Sequence, residues 1–426
     1  MKTILSISIA VCVQINFCAQ TVSTFAGNGG YGATNGSVTT ATFRNPVGVA
    51  VASNGDVYVA DNTNHRIRKI SGGIVTTFAG NDVAGSNDGP AVSSTFNYPT
   101  DLAFDSNGNL IVADRENNKI RKIAPDGTVS TLAGTGAIGS ADGNASTATF
   151  YQPYGIAIDA NDNIFIADSA NNKIRKISNT GVVSTFAGTG FSGLANGDGN
   201  VAAFSAPVKI AFDTAGNLYV TDYNNNKIRK ITPAAVVSTF AGATQGFLDG
   251  PSTTAKFDQP VGICVDTSGN VYVSDAGNSK IRKITQAGMV STIAGTTQGF
   301  LDGHASVAKF YRPYDIEFDN NGNFLIADNL NQRIRGMGTS SLSTANVLAN
   351  SSVKIYPNPF TDEVNISIEN SEKAELEILD MNGRLVSKKS LNEKKNVVNT
   401  SGLNSAIYLF KINNSGKISI IKGIKK

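Results

Sequence analysis

The sequence lacks the residues of several common site types. Its 426 residues include no tryptophan, two histidines and three cysteines. The two histidines, His65 and His304, are too few for a histidine-based zinc site. Cys12 and Cys18 fall in a segment that we expect to be removed, so the mature chain keeps only Cys264 and can form no internal disulfide. Its stability must therefore come from packing rather than from covalent cross-links.

The sequence also lacks an apolar run long enough to cross a bilayer as a helix. The apolar run from Ile4 to Ile15 follows Lys2 and precedes Ala19, which is the pattern of a cleaved signal peptide. We therefore predict that residues 1–19 are a signal peptide. The mature protein is then secreted, either into the medium or to the outer cell surface, and it has no transmembrane segment.

Neither sign of charge dominates the main part of the chain. Residues 20–352 carry 23 Lys and Arg against 25 Asp and Glu, a net charge of −2. Binding of nucleic acid requires a surplus of positive charge, so we expect no nucleic-acid partner.

No segment of ten or more residues shows helical periodicity, which favours an all-β fold.

The sequence does contain one unit that is repeated six times between Thr21 and Gly338, with a period of 53 or 54 residues. Each copy divides into four short alternating or apolar runs, as in "PYGIAID", "NIFIAD", "NKIRKI" and "GVVSTFAG". Four strands per unit and six units predict a six-bladed β-propeller over residues 20–338, because a four-stranded blade buries both of its faces only between neighbours.

The two ends of the repeat predict how the ring closes. A copy of the fourth strand, "TVSTFAG" (Thr21–Gly27), precedes the first blade, whereas the sixth blade stops at "RIRGMG" and lacks a fourth strand. We expect the N-terminal strand to complete blade six and to leave no exposed edge.

The repeated motif P-x-G-I-A-V-D … G-N-x-Y-V-A-D-x-x-N-x-(K/R)-I-R-K-I, seen at Pro46–Ile70 and in five further copies, resembles the NHL repeat. The resemblance covers Thr21 to about Gly338. It implies the propeller fold but not a particular ligand.

A different module follows the repeats. Residues 339–352 are rich in Ser, Thr and Asn and predict a linker, and the short strand-like runs of residues 353–426 predict a small Ig-like β-sandwich. The motifs "VKIYPNP", "ILDMNGRLV" and "SGLNSAIYLFKI", with Lys422, resemble the C-terminal sorting domain of the type IX secretion system of Bacteroidetes. The resemblance implies that residues 353–426 are recognised by that secretion machinery and that the tail is removed, with the protein then released or attached at the cell surface.

A polar pattern, D-x-x-N followed by paired bases, recurs in every blade, as in Asp168 and Asn171 followed by Lys173 and Arg175. Its uniformity favours a structural role in loop hydrogen bonds and in Asp–Arg pairs between neighbouring sheets. An Asn or Asp that precedes a Gly in each connection between blades predicts a turn or a cap.

Departures from the repeat are the better candidates for a site, because a residue that breaks a structural rule can serve function. Three charged side chains stand at the third position of an inner strand where the other blades have Gly: Asp101, Lys209 and Asp315. Glu317 stands two positions later in blade six. Since inner strands line the central channel, we expect these charges near its mouth.

Two interpretations of these four charges stay open. They form an internal salt-bridge cluster around Lys209 that plugs the channel, or they bind a small ligand or a calcium ion through the three carboxylates. No motif firmly implies a cofactor, and calcium in the channel is the one candidate.

The loops around the mouth supply aromatic and basic side chains that suit recognition of sugar rings or peptides: Tyr98, Tyr154, Arg312 and Tyr314. The sequence thus predicts a monomeric extracellular binding module for a protein, peptide or glycan. The alternative is a metal-dependent hydrolase, lactonase or lyase with its site in the channel, although the sequence shows no nucleophile elbow and no convincing Ser-His-Asp set.

Overall fold

The computed structural model describes residues 20–339, 353–368, 373–380, 385–414 and 417–426. The predicted signal peptide and nearly all of the predicted linker lie outside these residues. Thr339, the first residue of the predicted linker, is instead the last residue of a strand. The chain divides between Thr339 and Ser340 into two compact units, each described separately below.

The described part of the first unit consists of short strands with the following bounds: β1 Gln20–Ala26, β2 Gly36–Ser37, β3 Pro46–Val51, β4 Val57–Asp61, β5 Arg66–Ser71, β6 Ile74–Ala79, β7 Gly89–Pro90, β8 Pro99–Phe104, β9 Leu110–Asp114, β10 Lys119–Ile123, β11 Thr128–Ala133, β12 Gly143–Asn144, β13 Pro153–Ile158, β14 Ile164–Asp168, β15 Lys173–Ile177, β16 Val182–Ala187, β17 Gly197–Asp198, β18 Pro207–Phe212, β19 Leu218–Asp222, β20 Lys227–Ile231, β21 Val236–Ala241, β22 Gly250–Pro251, β23 Pro260–Val265, β24 Val271–Asp275, β25 Lys280–Ile284, β26 Met289–Ala294, β27 Gly303–His304, β28 Pro313–Phe318, β29 Phe324–Asp328 and β30 Arg333–Thr339. Every blade except the fifth also has a three-residue 3-10 helix after its second strand: Asn62–Asn64, Arg115–Asn117, Ser169–Asn171, Tyr223–Asn225 and Asn329–Asn331.

These strands form six antiparallel sheets arranged as the blades of a closed ring. The inner strands β3, β8, β13, β18, β23 and β28 each contact the inner strand of the next blade, and β28 contacts β3. The sequence predicted four strands per blade, whereas each sheet has five. The fifth is a two-residue strand from the preceding connection, such as β2, which pairs with the outer strand β6 of its own blade.

The N-terminal strand closes the ring, which confirms the prediction. Strand β1 lies antiparallel to β30, with Thr21 opposite Gly338 and Ser23 opposite Gly336. It takes the place of the fourth strand in blade six, between β30 and β27.

Apolar side chains from adjacent blades form the core. All five residues of each second strand are buried, for example in β9 and β14. Side chains alternate between the two faces of a strand. The second strand of each blade therefore contributes to the packing on both sides of that blade. One such cluster joins Tyr58 and Ala60 of blade one to Leu102 and Val112 of blade two.

The repeated Asp–Arg pairs lie within single blades, so our expectation of pairs between neighbouring sheets was wrong. In blade two, Arg121 Nη1 is 2.7 Å from Asp114 Oδ2, and both side chains are fully buried. Arg121 stands opposite Val112, two residues before Asp114 on the same face of the hairpin, so the two side chains meet diagonally. The same pair occurs in all six blades: Asp61–Arg68, Asp114–Arg121, Asp168–Arg175, Asp222–Arg229, Asp275–Arg282 and Asp328–Arg335.

The Asn or Asp before the connection glycine completes this cluster. Asp88 Oδ1 is 2.6 Å from Arg121 Nη2, and Asp88 Oδ2 accepts the N–H of Thr131 at 3.0 Å. Its side chain therefore joins the connection to the third and outer strands, which is more than the local turn or cap that the sequence indicated. Gly89 itself has a φ of +127°, which favours glycine.

The second unit contains two sheets in its described part, β31-β32-β35 and β34-β33-β36-β37. The strands are β31 Val353–Tyr356, β32 Glu363–Ile368, β33 Ala374–Leu379, β34 Leu385–Leu391, β35 Lys395–Asn399, β36 Ile407–Asn414 and β37 Lys417–Ile424. Apolar residues of both sheets, including Ile366 and Phe410, form one core, as in a sandwich. Strand β35 has no clear alternation of apolar and polar residues and is not predicted from the sequence.

Candidate functional site

A salt-bridged cluster, which we call the plug, consists of Asp101, Lys209 and Asp315 on inner strands β8, β18 and β28. Lys209 Nζ donates to Asp101 Oδ1 and, at 2.8 Å, to Asp315 Oδ2. All three side chains are buried. The structure therefore brings together three of the four charged residues that the sequence singled out, and it places them inside the channel rather than at its mouth.

Backbone N–H groups also donate to the two carboxylates of the plug. Asp101 Oδ2 accepts the N–H of Ile156 at 2.7 Å, and Asp315 Oδ2 accepts the N–H of Val49 at 2.8 Å. Each carboxylate thus binds both Lys209 and the inner strand of the next blade. A buried charge that is paired and hydrogen-bonded in this way is tolerated.

The alternation of glycine and charge around the ring has a steric cause. A Cβ on Gly155 would lie 2.3 Å from the carbonyl oxygen of Val208, and a Cβ on Gly48 would lie 2.5 Å from that of Thr100. In these blades the next inner strand approaches too closely for any side chain. Side chains at this level therefore come only from alternate blades, and the three that are present form the plug.

Burial and mutual charge shift the titration of these groups. Burial raises the pKa of Asp101 to about 6, although Lys209 opposes that shift. Burial lowers the pKa of Lys209, but the carboxylates of Asp101 and Asp315 outweigh that effect and hold it above its usual value. The lysine therefore stays charged and takes the place that a bound cation would otherwise occupy.

The plug divides the channel into two cavities. The front cavity, of about 580 Å³, opens where the inner strands begin, and Val47, Thr100, Tyr154, Val208, Val261 and Tyr314 are among its lining residues. The back cavity, of about 420 Å³, opens where the inner strands end, and its lining includes the plug and Glu317.

Two tyrosine–arginine pairs belong to the front cavity. The guanidinium carbon of Arg115 lies 6.0 Å from the ring centre of Tyr154, and that of Arg312 lies 5.8 Å from the ring centre of Tyr314. Arg312 Nη2 also donates to Tyr223 Oη at 3.2 Å. Tyr154 and Tyr314 are half-buried and come from opposite blades, so they flank the opening. Such rings combine apolar area with a hydroxyl group.

Tyr98 does not line the front cavity. Its N–H donates to Nδ1 of His65 at 3.1 Å, and the two rings meet edge to face with centres 4.7 Å apart. Burial lowers the pKa of His65, which favours the neutral form that accepts this hydrogen bond. Of the four predicted loop-face residues, Tyr154 and Tyr314 therefore line the cavity. Arg312 contacts the lining residues Tyr223 and Tyr314, and Tyr98 lies outside the lining.

Several residues that line the front cavity are not among those predicted from the sequence: Asn62, Arg115, Tyr223 and Asn329. All four directly follow the repeated Asp that ends a second strand, where the blades differ from one another. A comparison of the six copies at this position would have found them by the same rule that found Lys209.

The plug does not fit a calcium ion. Calcium takes six to eight oxygen ligands, whereas Lys209 already occupies two of the carboxylates in the channel. Among the described residues no group of three or more His, Cys, Asp or Glu side chains is arranged to hold a metal ion.

The closed ring and its blocked channel define a six-bladed β-propeller protein. Residues 43–70, 96–123, 150–177, 204–231 and 257–284 match the NHL repeat, and residues 354–426 match the secretion system C-terminal sorting domain. The chain therefore contains NHL repeats in its propeller and this sorting domain at its C-terminal end, as both resemblances implied. Blade six, with Arg312 and Glu317, lies outside the matched repeats.

Two curated relatives each match about three fifths of this chain. The chain is similar to Protein SUPPRESSOR OF QUENCHING 1, chloroplastic, of Arabidopsis thaliana, with 32% identity over 60% of this chain and 26% of that protein. It is also similar to human NHL repeat-containing protein 2, with 29% identity over 59% of this chain and 40% of that protein. The chain therefore spans less than half the length of these relatives.

Solved structures from Bacteroides thetaiotaomicron share the fold. A protein of unknown function is similar with a TM-score of 0.60 and 23% identity, and an auxiliary nutrient binding protein with a TM-score of 0.59 and 17% identity. Each comparison covers 75% of this chain and 76% of the other. At these identities the likeness concerns the fold.

The sorting domain indicates export to the cell surface or the extracellular space. None of the helices in the described part of the chain is long and apolar enough to span a membrane.

Proposed function

We propose that this protein is a secreted binding module that captures an extracellular glycan, peptide or protein segment in its front cavity. The main observation behind this proposal is the front cavity. The plug closes its inner end, and two tyrosine–arginine pairs flank its opening. A concave site with aromatic walls and a few fixed polar groups is the usual form of a ligand pocket, and its volume lies in the usual range.

The polar groups of the front cavity are held in place by the ring. Asn62 Nδ2 donates to the carbonyl of Pro99 at 2.9 Å, and Asn329 Nδ2 donates to that of Pro46 at 3.1 Å. These bonds fix both amides and leave their Oδ1 atoms to accept hydroxyl or amide protons from a ligand. Burial, and then Tyr314, raises the pKa of Tyr154, so its hydroxyl stays protonated and can donate.

The proposal agrees with two comparisons. The sorting domain exports the propeller to where such ligands are found, and one structural neighbour is described as an auxiliary nutrient binding protein. The alternative, a metal-dependent hydrolase or lyase, has less support, since Lys209 binds two of the three carboxylates in the channel.

The test is binding of the purified protein to glycan and peptide arrays, followed by titration of any hit. We expect Tyr154→Ala combined with Tyr314→Ala to abolish binding, because both walls of the pocket are lost. Tyr31→Ala is the matched control, since Tyr31 is 67% exposed and does not line the front cavity. Equal binding by the double variant and by the unmodified protein would refute the proposal.

A further inference from the structure

The back cavity differs from the front cavity in its lining. Its wall at the fifth position of the inner strands is formed by small residues in five blades: Ala50, Ala103, Ala157, Ala211 and Cys264. In blade six this position is Glu317. The fifth position is therefore small in five blades and carries a carboxyl group in the sixth.

Glu317 has no cationic partner in the described part of the chain. In that part, its side chain makes one hydrogen bond, in which Oε1 accepts the N–H of Phe318 at 3.0 Å. Lys209, the cation of the channel, binds Asp101 and Asp315 instead. Burial, and then the charge of Asp315, raises the pKa of Glu317 to about 7. An unpaired carboxylate in such a place is costly, and a cation in the cavity would offset that cost.

We propose that the back cavity is a second binding site, which takes an organic ammonium ion through the carboxylate of Glu317. The ammonium group donates to Glu317 and to Oδ1 of Asn320, which also lines the cavity. The side chain of Asn320 is fixed there because its Nδ2 donates to the carbonyls of Ala52 and Ser53, at 3.0 and 3.1 Å.

The apolar part of the ligand has aromatic surface to contact. Phe104, Phe212 and Phe318 line the cavity in alternate blades and are half-buried. Aromatic faces attract cations and pack against the carbon atoms bonded to them. The site thus suits an amine with a compact hydrocarbon or aromatic substituent.

Other ligand classes fit the back cavity less well. A calcium ion needs six to eight oxygens, and Glu317 is the one lining carboxylate that Lys209 does not bind. An anion would face two carboxylates and one ammonium group in the plug, with Glu317 beside them. The charge of the cavity therefore selects for a monovalent cation with an organic part.

This second site is independent of the proposed function. Its residues lie on the opposite side of the plug from Tyr154, and the two cavities share no lining residue. A variant of one cavity should therefore leave binding at the other unchanged.

The test is isothermal titration calorimetry of the purified protein at pH 8 with benzylammonium chloride. We expect binding that weakens about tenfold or more in Glu317→Ala, which corresponds to the loss of one charge-assisted hydrogen bond. Glu317→Ala restores the residue of four other blades, so the fold should be kept, and circular dichroism checks this. Tyr154→Ala is the matched control and should bind benzylammonium as the unmodified protein does.

The competing outcomes are separated by two further probes. Benzyl alcohol, the neutral counterpart, should bind much more weakly, and lowering the pH to 5 should weaken benzylammonium binding as Glu317 takes up a proton beside Asp315, Asp101, Lys209 and Cys264. Absence of benzylammonium binding at millimolar concentration would overturn the inference. Unchanged binding in Glu317→Ala, equal binding of benzyl alcohol, or displacement of benzylammonium by calcium chloride would also overturn it.

Discussion

In the outer part of every blade a buried arginine binds acceptors at equivalent positions, whereas along the channel the six inner strands differ from one another. Arg121 and its five counterparts are all fully buried and each pairs with the Asp that ends the second strand. At the third position of the inner strands, by contrast, three blades have Gly and three have a charged residue. Positions that repeat six times build the ring, and positions that break the repeat shape its cavities.

The largest expected effect comes from the repeated cluster. Arg121→Met leaves Asp114 buried without its cation and should lower the free energy of unfolding by about 3–5 kcal/mol. Lys122→Met, on the same strand but half-exposed, should change it by less than about 0.5 kcal/mol. Urea denaturation measures both. If both variants lowered the free energy of unfolding by similar amounts, the buried cluster would contribute no more to stability than an ordinary surface residue does.

The plug should respond nearly as strongly, and its response should depend on pH. Lys209→Met removes the cation between Asp101 and Asp315 and should destabilise the protein by about 3 kcal/mol at pH 8. The loss of stability should be smaller at pH 5, because Asp101, whose pKa is raised, can then take up a proton and no longer needs the cation. A carboxyl group with a raised pKa in the folded state contributes stability below its unfolded pKa and loses that contribution as the pH rises through the folded value.

A triple variant serves as the control for the plug. Lys209→Met combined with Asp101→Asn and Asp315→Asn leaves no unpaired charge in the plug, so it should be less destabilised than Lys209→Met alone. If the triple variant proves as unstable as Lys209→Met alone, the loss comes from packing rather than from charge.

A smaller effect is expected at Glu317. Its pKa is raised to about 7, so its contribution to stability is present below the unfolded value near 4.5 and is lost as the pH rises through about 7. Glu317→Gln should therefore stabilise the protein on the order of 1 kcal/mol at pH 8 and have little effect at pH 4. Thermal unfolding at the two pH values measures the difference, and a gain that is the same at both would contradict the assignment.

The smallest effect concerns one hydrogen bond between blades one and two. His65 Nδ1 accepts the N–H of Tyr98, as Gln332 Oε1 accepts the N–H of Asn45 between blades six and one. The pKa of His65 is lowered, so this contribution is present above the unfolded value near 6.5 and is lost as the pH falls through the folded value. Glutamine does not take up a proton in this pH range, so His65→Gln should keep the hydrogen bond at pH 5. The variant should then be more stable than the unmodified protein by about 1 kcal/mol or less at that pH. A pH dependence unchanged by the substitution would contradict it.

The sequence predicted most of the ring because the repeat is strong and local. The spare copy "TVSTFAG" and the missing fourth strand of blade six were enough to predict the pairing of β1 with β30. Two-residue strands such as Gly36–Ser37 were missed because they contain no pattern, and β35, "KNVVN", was missed because it has no clear alternation of apolar and polar residues.

The site was less predictable because its geometry depends on contacts across the ring. The sequence suggested a salt-bridge cluster around Lys209 as one of two interpretations, but the choice between them depends on how far Lys209 reaches over the axis. The neighbours of Arg312 could not be found either, since Tyr223 lies 89 residues away in another blade. Local patterns thus identified the residues, and only the closed ring showed which of them meet.

The last strand of the propeller also determines how it resists a pull from its tail. Strand β30 leads into the sorting domain, yet it lies between β29 and β1 rather than at the edge of blade six. A force transmitted through residue 340 must break hydrogen bonds on both sides of β30 before the strand can leave. A propeller held at a cell surface by its C-terminal end would thus carry mechanical load at a strand that its own N-terminal segment secures.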